Sequence, residues 1–165
     1  MYSKKVYHIT ESAIIAALYV ALTYLAFSVN LASGPIQVRF SEALAVLTFF
    51  TPAAIPGLFI GCLLSNILTG CIIWDIIFGS LATLIGALVS YSLRKVSKWI
   101  MPLPNMVSNA IIVPFILRFA YGDPSAFYLL FASITIGEII SCGVLGMLLL
   151  FCLQKYQNVI FKNRS

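Results

Sequence analysis

The sequence predicts an all-α integral membrane protein, one domain over residues 1–165 folded as a six-transmembrane-helix bundle with both termini cytoplasmic. Three observations point there. Hydrophobic residues make up 61% of the chain and charged residues 9%, whereas a soluble domain needs about 25% charged residues to cover its surface. Mean hydropathy is +1.03. The few charges separate long uncharged stretches at 12–29, 43–74, 76–93, 99–117, 124–137 and 139–154.

A helix needs roughly 20 apolar residues to cross a hydrocarbon core of about 30 Å. On that measure the spans fall at roughly 9–29, 40–51, 55–71, 74–93, 103–120 and 125–153. No small-residue cleavage site follows the first apolar run, so 9–29 reads as a retained span and not as a signal peptide. The stretch 43–74 is too long for one crossing, and Thr51-Pro52-Ala53-Ala54-Ile55-Pro56-Gly57 divides it, because proline removes a backbone donor and ends helices. The second span is therefore short. It must be tilted, or shielded by neighbours where its backbone turns at membrane depth. The fifth and sixth spans form an antiparallel hairpin about Gly122-Asp123.

Lys and Arg collect on cytoplasmic loops. With both termini inside, the inner side holds Lys4, Lys5, Arg94, Lys95, Lys98, Lys155, Lys162 and Arg164, and the outer side only Arg39 and Arg118. The net charge of +5 is thus a topology signal, and nucleic acid is not expected as a partner. The chain has no phosphate-binding GxxxxGK[ST] loop, HExxH or GxSxG motif, and its only histidine, His8, lies in the N-terminal tail. Cys62, Cys71, Cys142 and Cys152 form no CxxC pair and read as small buried hydrophobes. No metal or cofactor is expected.

Small residues spaced by four let helices approach closely inside lipid. Such stripes are Ala13/Ala17/Ala21, Gly57/Gly61, Ala82/Gly86/Ser90 and Ser133/Gly137/Ser141. Internal packing is the default for each, and the first span's stripe is also a candidate face for another protein.

Ionisable groups at membrane depth are costly and mark candidate functional sites. Glu138 is the clearest, in Ile134-Thr135-Ile136-Gly137-Glu138-Ile139-Ile140-Ser141. In the hairpin, residues whose numbers sum to about 245 lie level, which sets Asn109 within about half a turn of Glu138. The two can line one deep pocket, a carboxylate acceptor beside an amide donor. A second polar group, Asn30, Gln37, Arg39, Glu42, Asn66, Trp74 and Asp75, falls at the outer mouth. Together they form a vestibule open on one side, suited to capture of a small polar molecule. Competing readings are a membrane-embedded enzyme using Glu138 with Asp75 or Glu42, a helix-capping role for Glu138, a ligand-free assembly subunit, and a self-sufficient carrier. Against the carrier, no inverted repeat or intramembrane ion-coupling cluster is found.

Four segments carry a family resemblance: Gly34–Leu44 (GPIQVRFSEAL), Phe50–Gly70 (FTPAAIPGLFIGCLLSNILTG), Asp75–Tyr91 (DIIFGSLATLIGALVSY) and Ile134–Gly146 (ITIGEIISCGVLG). In these the chain resembles the QueT family of substrate-capture subunits, the S components of energy-coupling-factor transporters. The resemblance implies a bacterial plasma-membrane subunit that binds its substrate alone and needs a transmembrane scaffold and two ATPase subunits for transport. It implies that Ala13, Ala17 and Ala21 dock the scaffold. It also implies that the substrate is a queuosine precursor, a 7-deazaguanine base or queuine, with another small vitamin-like molecule as the alternative. On that chemistry Glu138 accepts the ring N–H and the exocyclic amine as a bidentate pair, and Asn109 or Gln37 donates to the ring carbonyl. Trp74 or Phe40 stacks the base, and Glu42 or Asp75 meets a cationic aminomethyl arm. The loop shaped by Gly34-Pro35 covers the ligand.

Overall fold

Without water to satisfy it, a lipid-buried backbone must bond within its own segment, and every regular element among the described residues is helical. The computed structural model describes residues 4–31, 37–122 and 124–160. In order come α1 (Lys4–Ser28), a 3-10 helix (Phe40–Phe49), α2 (Ala54–Leu68), α3 (Ile73–Leu93), α4 (Leu103–Phe115), α5 (Phe127–Glu138) and α6 (Gly146–Ile160). Beyond Pro114, α4 runs on through a π-helical turn, Ile116–Ala120. A second π segment, Ile139–Leu145, joins α5 to α6 as one rod.

Four helices are long and apolar enough to cross a membrane: Lys4–Ser28, Ile73–Leu93, Lys98–Ala120 and Phe127–Gln157. The chain is a multi-pass membrane protein. The expected spans 40–51 and 55–71 correspond to the shorter helices Phe40–Phe49 and Ala54–Leu68.

Sequence neighbours pack as spatial neighbours, α1 on α2, α2 on α3, α3 on α4 and α4 on α5. Small residues make the close contacts. A methyl at Gly61 would lie 2.6 Å from Tyr19 Cβ, and one at Gly86 would lie 2.6 Å from Asn105 Cα. The stripes on α2 and α3 therefore face other helices. The α1 stripe does not, since Ala13, Ala17 and Ala21 are exposed while Ile15, Ala16, Tyr19 and Ala26 point inwards.

The short second segment is shielded by its neighbours. Residues 41 to 48 are all buried, and the 3-10 helix touches α1, α2, α3, α6 and the second π segment. Two hydrogen bonds beyond its end tie the chain to α1: Thr51 donates to Glu11 Oε2 at 2.9 Å, and Ser12 donates to the Ala53 carbonyl at 2.9 Å. At the opposite end of the bundle, the Ile72 N–H donates to the Tyr121 hydroxyl at 3.3 Å, joining two connections.

Candidate functional site

The inward face of α4 carries buried Asn105, Ser108 and Asn109. Positions four apart stack on one helix face, with Cβ atoms about 5–6 Å apart, so Asn105 and Asn109 present two amides one turn apart. Each holds a carboxylate. Asn109 Nδ2 donates to Glu138 Oε1 at 3.2 Å, and Asn105 Nδ2 donates to Glu42 Oε2 at 2.7 Å. The hairpin arithmetic that set Asn109 beside Glu138 describes the observed pair.

Glu42 departs from expectation. It was placed at an outer mouth but is fully buried, because the 3-10 helix beginning at Phe40 carries it into the core. The Tyr19 hydroxyl donates to its Oε1, so both Glu42 oxygens have donors. Glu138 is less well satisfied: its Oε2 is buried with no donor, and the same holds for Asn105 Oδ1 and Asp75 Oδ1 among the described residues. A buried polar atom without a partner forfeits about 1–3 kcal/mol, more for a charged group.

The chain before the 3-10 helix lies across this cluster. The Gln37 carbonyl sits against Gly137, the Arg39 N–H donates to Ser141 Oγ at 3.1 Å, and the Val38 N–H donates to the Leu31 carbonyl at 3.1 Å. Gly137 is ten residues beyond the start of α5, roughly 15 Å of helix rise, so this segment reaches deep. Gly137 and Ser141 thus face a loop where a packed helix was expected. Gly34-Pro35 lie outside the described residues. The Arg39 guanidinium lies within electrostatic reach of Asp75 and Glu42.

A second cluster sits nearer the end of the bundle. Asp75 is buried in the first turn of α3. Tyr121 donates to its Oδ2 at 3.2 Å, and Asn66 Nδ2 donates to its backbone carbonyl at 3.3 Å. Burial first, and the Asp75 carboxylate besides, push the Tyr121 phenol up, partly offset by the Ile72 N–H. Trp74 does not join this cluster. One residue before Asp75 it points about 100° round the helix, is 54% exposed, and stacks on Phe78 with ring centroids 5.9 Å apart. Asn30 is exposed at the end of α1. A groove of about 500 Å³ lined by Ile85, Val89, Leu103, Val107 and Ile111 opens on the outer face of α3 and α4 and adds no carboxylate.

Three contributors were absent from the sequence reading. Asn105 had a signal in its spacing of four from Asn109. Tyr19 lies on the α1 face turned away from Ala13, Ala17 and Ala21, which marks it as inward. Tyr121 carried no signal. Together the clusters are rich in acceptors lacking donors, a surface matched to a ligand bearing several N–H groups. Among the described residues no group of three His, Cys, Asp or Glu could hold a metal ion.

A model of the QueT transporter family matches residues 9–155. The queuosine precursor transporter QueT of Lactococcus lactis subsp. cremoris (strain MG1363) is 43% identical over 85 residues, which cover 52% of this chain and 50% of that protein. The match thus spans about half the length of the relative. No solved structure matches the chain.

Proposed function

The chain belongs to the QueT transporter family, and from that premise we propose that it is the substrate-binding S component of an energy-coupling-factor importer, capturing a queuosine precursor from the outer side. The family and the relative are transporters and not enzymes, which removes the acid–base reading of Glu138. One observation carries the proposal: Glu138 is 5% exposed, with Oε1 fixed by Asn109 and Oε2 lacking any donor.

A 7-deazaguanine presents a ring N–H and an exocyclic amine side by side, which a carboxylate accepts as a strong charge-assisted pair. Asn105 Oδ1, also without a donor, is a second acceptor one turn away for the remaining amine hydrogen. An adenine-like base lacks that donor pattern and would leave the site's acceptors unpaired, the situation in which polar sites discriminate most strongly. With Trp74 turned outwards, Phe40 is the stacking candidate. The name of the Lactococcus relative supports a queuosine precursor as the substrate class.

Capture is from outside, with both termini in the cytoplasm of a bacterial cell and the cation-rich 94–98 connection on the inner side, as the distribution of Lys and Arg supports. The segment Gln37–Arg39 then covers the ligand, and release follows docking of α1 on a transmembrane scaffold energised by two ATPase subunits. The exposure of Ala13, Ala17 and Ala21 supports that docking face.

The test is a binding panel on the purified chain with guanine, the 7-deazaguanine precursors, queuine and unrelated vitamins. Glu138→Gln and Asn109→Ala should each weaken deazaguanine binding about tenfold or more, equivalent to roughly 1.4 kcal/mol. Unchanged affinity in both variants removes the assignment.

A further inference from the structure

The connection from α3 to α4 gathers cations and no acid. Arg94, Lys95 and Lys98 stand close together there, and no Asp or Glu occurs anywhere from residue 76 to residue 122. Arg94 is held in place: its Nη1 donates to the Tyr91 carbonyl at 2.8 Å, and its guanidinium carbon lies 3.6 Å from the centre of the Tyr91 ring. The rest of its planar fork of N–H donors remains for another acceptor. Lys98 leans over Phe151, with Nζ 4.9 Å from the ring centre, and Lys95 is exposed. Beside them Trp99 is exposed and meets Phe151 edge-on, an amphipathic ring of the kind that sits at headgroup level.

This charged mouth opens onto the apolar groove between α3 and α4. Ile85, Val89 and Leu93 form one ridge and Leu103, Val107 and Ile111 the other, each spaced by four so that it runs along one helix face. The floor closes where the helices approach at Gly86, on which a methyl would lie 2.6 Å from Asn105 Cα. The Ser108 hydroxyl at that floor is turned away to the Asn105 carbonyl, at 3.1 Å. Because Leu93 and Leu103 flank the connection, the groove runs from the cations towards the middle of the bilayer. From Leu93 to Ile85 is about 12 Å of helix rise, close to half of a hydrocarbon core of about 30 Å. The groove is one leaflet deep.

We propose that this groove seats an acyl chain of an anionic phospholipid, whose phosphate is met by Arg94 and Lys95. The site stands apart from whatever is bound beside Glu138. Basic pockets between transmembrane helices hold anionic headgroups, and in this connection no acid offsets the charge. The ridges do not suit a protein helix. Association of helices inside lipid relies on small residues, yet Ala82, Gly86 and Ser90 of α3 are buried, and the ridges carry only Ile, Val and Leu. A hydrocarbon chain is thin and flexible enough to lie between them, gaining dispersion contacts along its length. A free phosphate would have no use for the groove.

The experiment counts lipid bound to the purified chain by native mass spectrometry, in nonionic detergent, during titration with dioleoyl phosphatidylglycerol or dioleoyl phosphatidylcholine. Wild type should hold phosphatidylglycerol about tenfold more tightly than phosphatidylcholine, and excess inorganic phosphate should not displace it. Arg94→Gln combined with Lys95→Gln should bring the two affinities close together. Val107→Trp fills the groove and should weaken both lipids, and Val89→Trp on the facing ridge gives the same reading where Val107→Trp fails to fold. Equal affinities in wild type, a preference that survives the double substitution, displacement by phosphate alone, or unaltered binding in every folded Trp variant overturns the proposal. So does a wild-type dimer that the Trp variants abolish, which would make the groove an interface between two copies of the chain.

Discussion

The backbone carbonyl of Gln37 occupies the space a side chain at Gly137 would need, for a methyl there would lie 1.8 Å from that oxygen. No rotamer relieves a clash between a Cβ and a backbone oxygen, so Gly137→Ala must displace the segment from the helix. Overpacking of a tight contact costs about 1–3 kcal/mol, and undocking the Gln37–Arg39 segment avoids that cost. We expect Gly137→Ala to insert and fold, to lose about tenfold or more in ligand affinity, and to expose residues 37–39 to hydrogen exchange. Wild-type affinity together with wild-type exchange would show that the segment does not cover the site.

Glu42 is a structural carboxylate, and variants at its partners should register in stability. Tyr19→Phe and Asn105→Ala each remove one donor to a fully buried group, where hydrogen bonds to charge are worth about 1.5–3 kcal/mol. Each should lower the thermal unfolding midpoint by several degrees in detergent. Glu42→Gln should do no better, since its amide nitrogen would meet either the Tyr19 hydroxyl or the Asn105 amide as donor against donor. An unchanged midpoint in all three would mean that the network contributes nothing to the fold.

The orientation is testable by thiol labelling. Cys71 is partly exposed in the 69–72 turn, at the end opposite the 94–102 connection that carries Arg94, Lys95 and Lys98. In a variant whose other cysteines are replaced by alanine, an impermeant maleimide should modify Cys71 on intact cells. A cysteine introduced as Ser97→Cys should react only after the cells are opened. The reverse pattern would invert the topology.

What was legible in the sequence was what length and charge control. Proline and charge punctuation located the other helix starts to within two residues, whereas α1 begins five residues earlier and α6 ends seven residues later than expected, and hairpin symmetry set Asn109 against Glu138 because both lie in regular helix on either side of one short turn. Glu42 was misplaced because loop length cannot show where a chain re-enters the bundle: beside Glu138, at Gly137 and Ser141, a loop is docked instead of a helix. Residues 40–51 read as a short apolar span, yet the burial of residues 41–48 on all sides depends on α1, α2, α3 and α6 closing round them. Asn105 was missed since a single amide near Pro102 and Pro104 looks like a helix start, and only the arrival of Glu42 gives it a buried partner. Trp74 shows the converse error, a suitable residue type on the wrong side of its helix.

The two faces of α1 separate packing from docking, and they should separate in mutagenesis. Inside, Gly61 receives Tyr19, where an added methyl would lie 2.6 Å from the Tyr19 Cβ. Gly61→Ala should therefore force α1 and α2 apart, lowering stability by about 1–3 kcal/mol, with ligand binding impaired through Tyr19 and Glu42. Outside, Ala17 is exposed, and within lipid a small residue at a helix surface lets a partner backbone come close. Ala17→Leu adds bulk where nothing in the chain stands, so the unfolding midpoint of the isolated subunit should hold. Co-purification with a transmembrane scaffold subunit, and uptake by whole cells, should fall sharply, because the partner helix can no longer approach. If Ala17→Leu and Ala13→Leu both assemble and transport normally, the exposed stripe is a lipid-facing surface and the scaffold docks elsewhere.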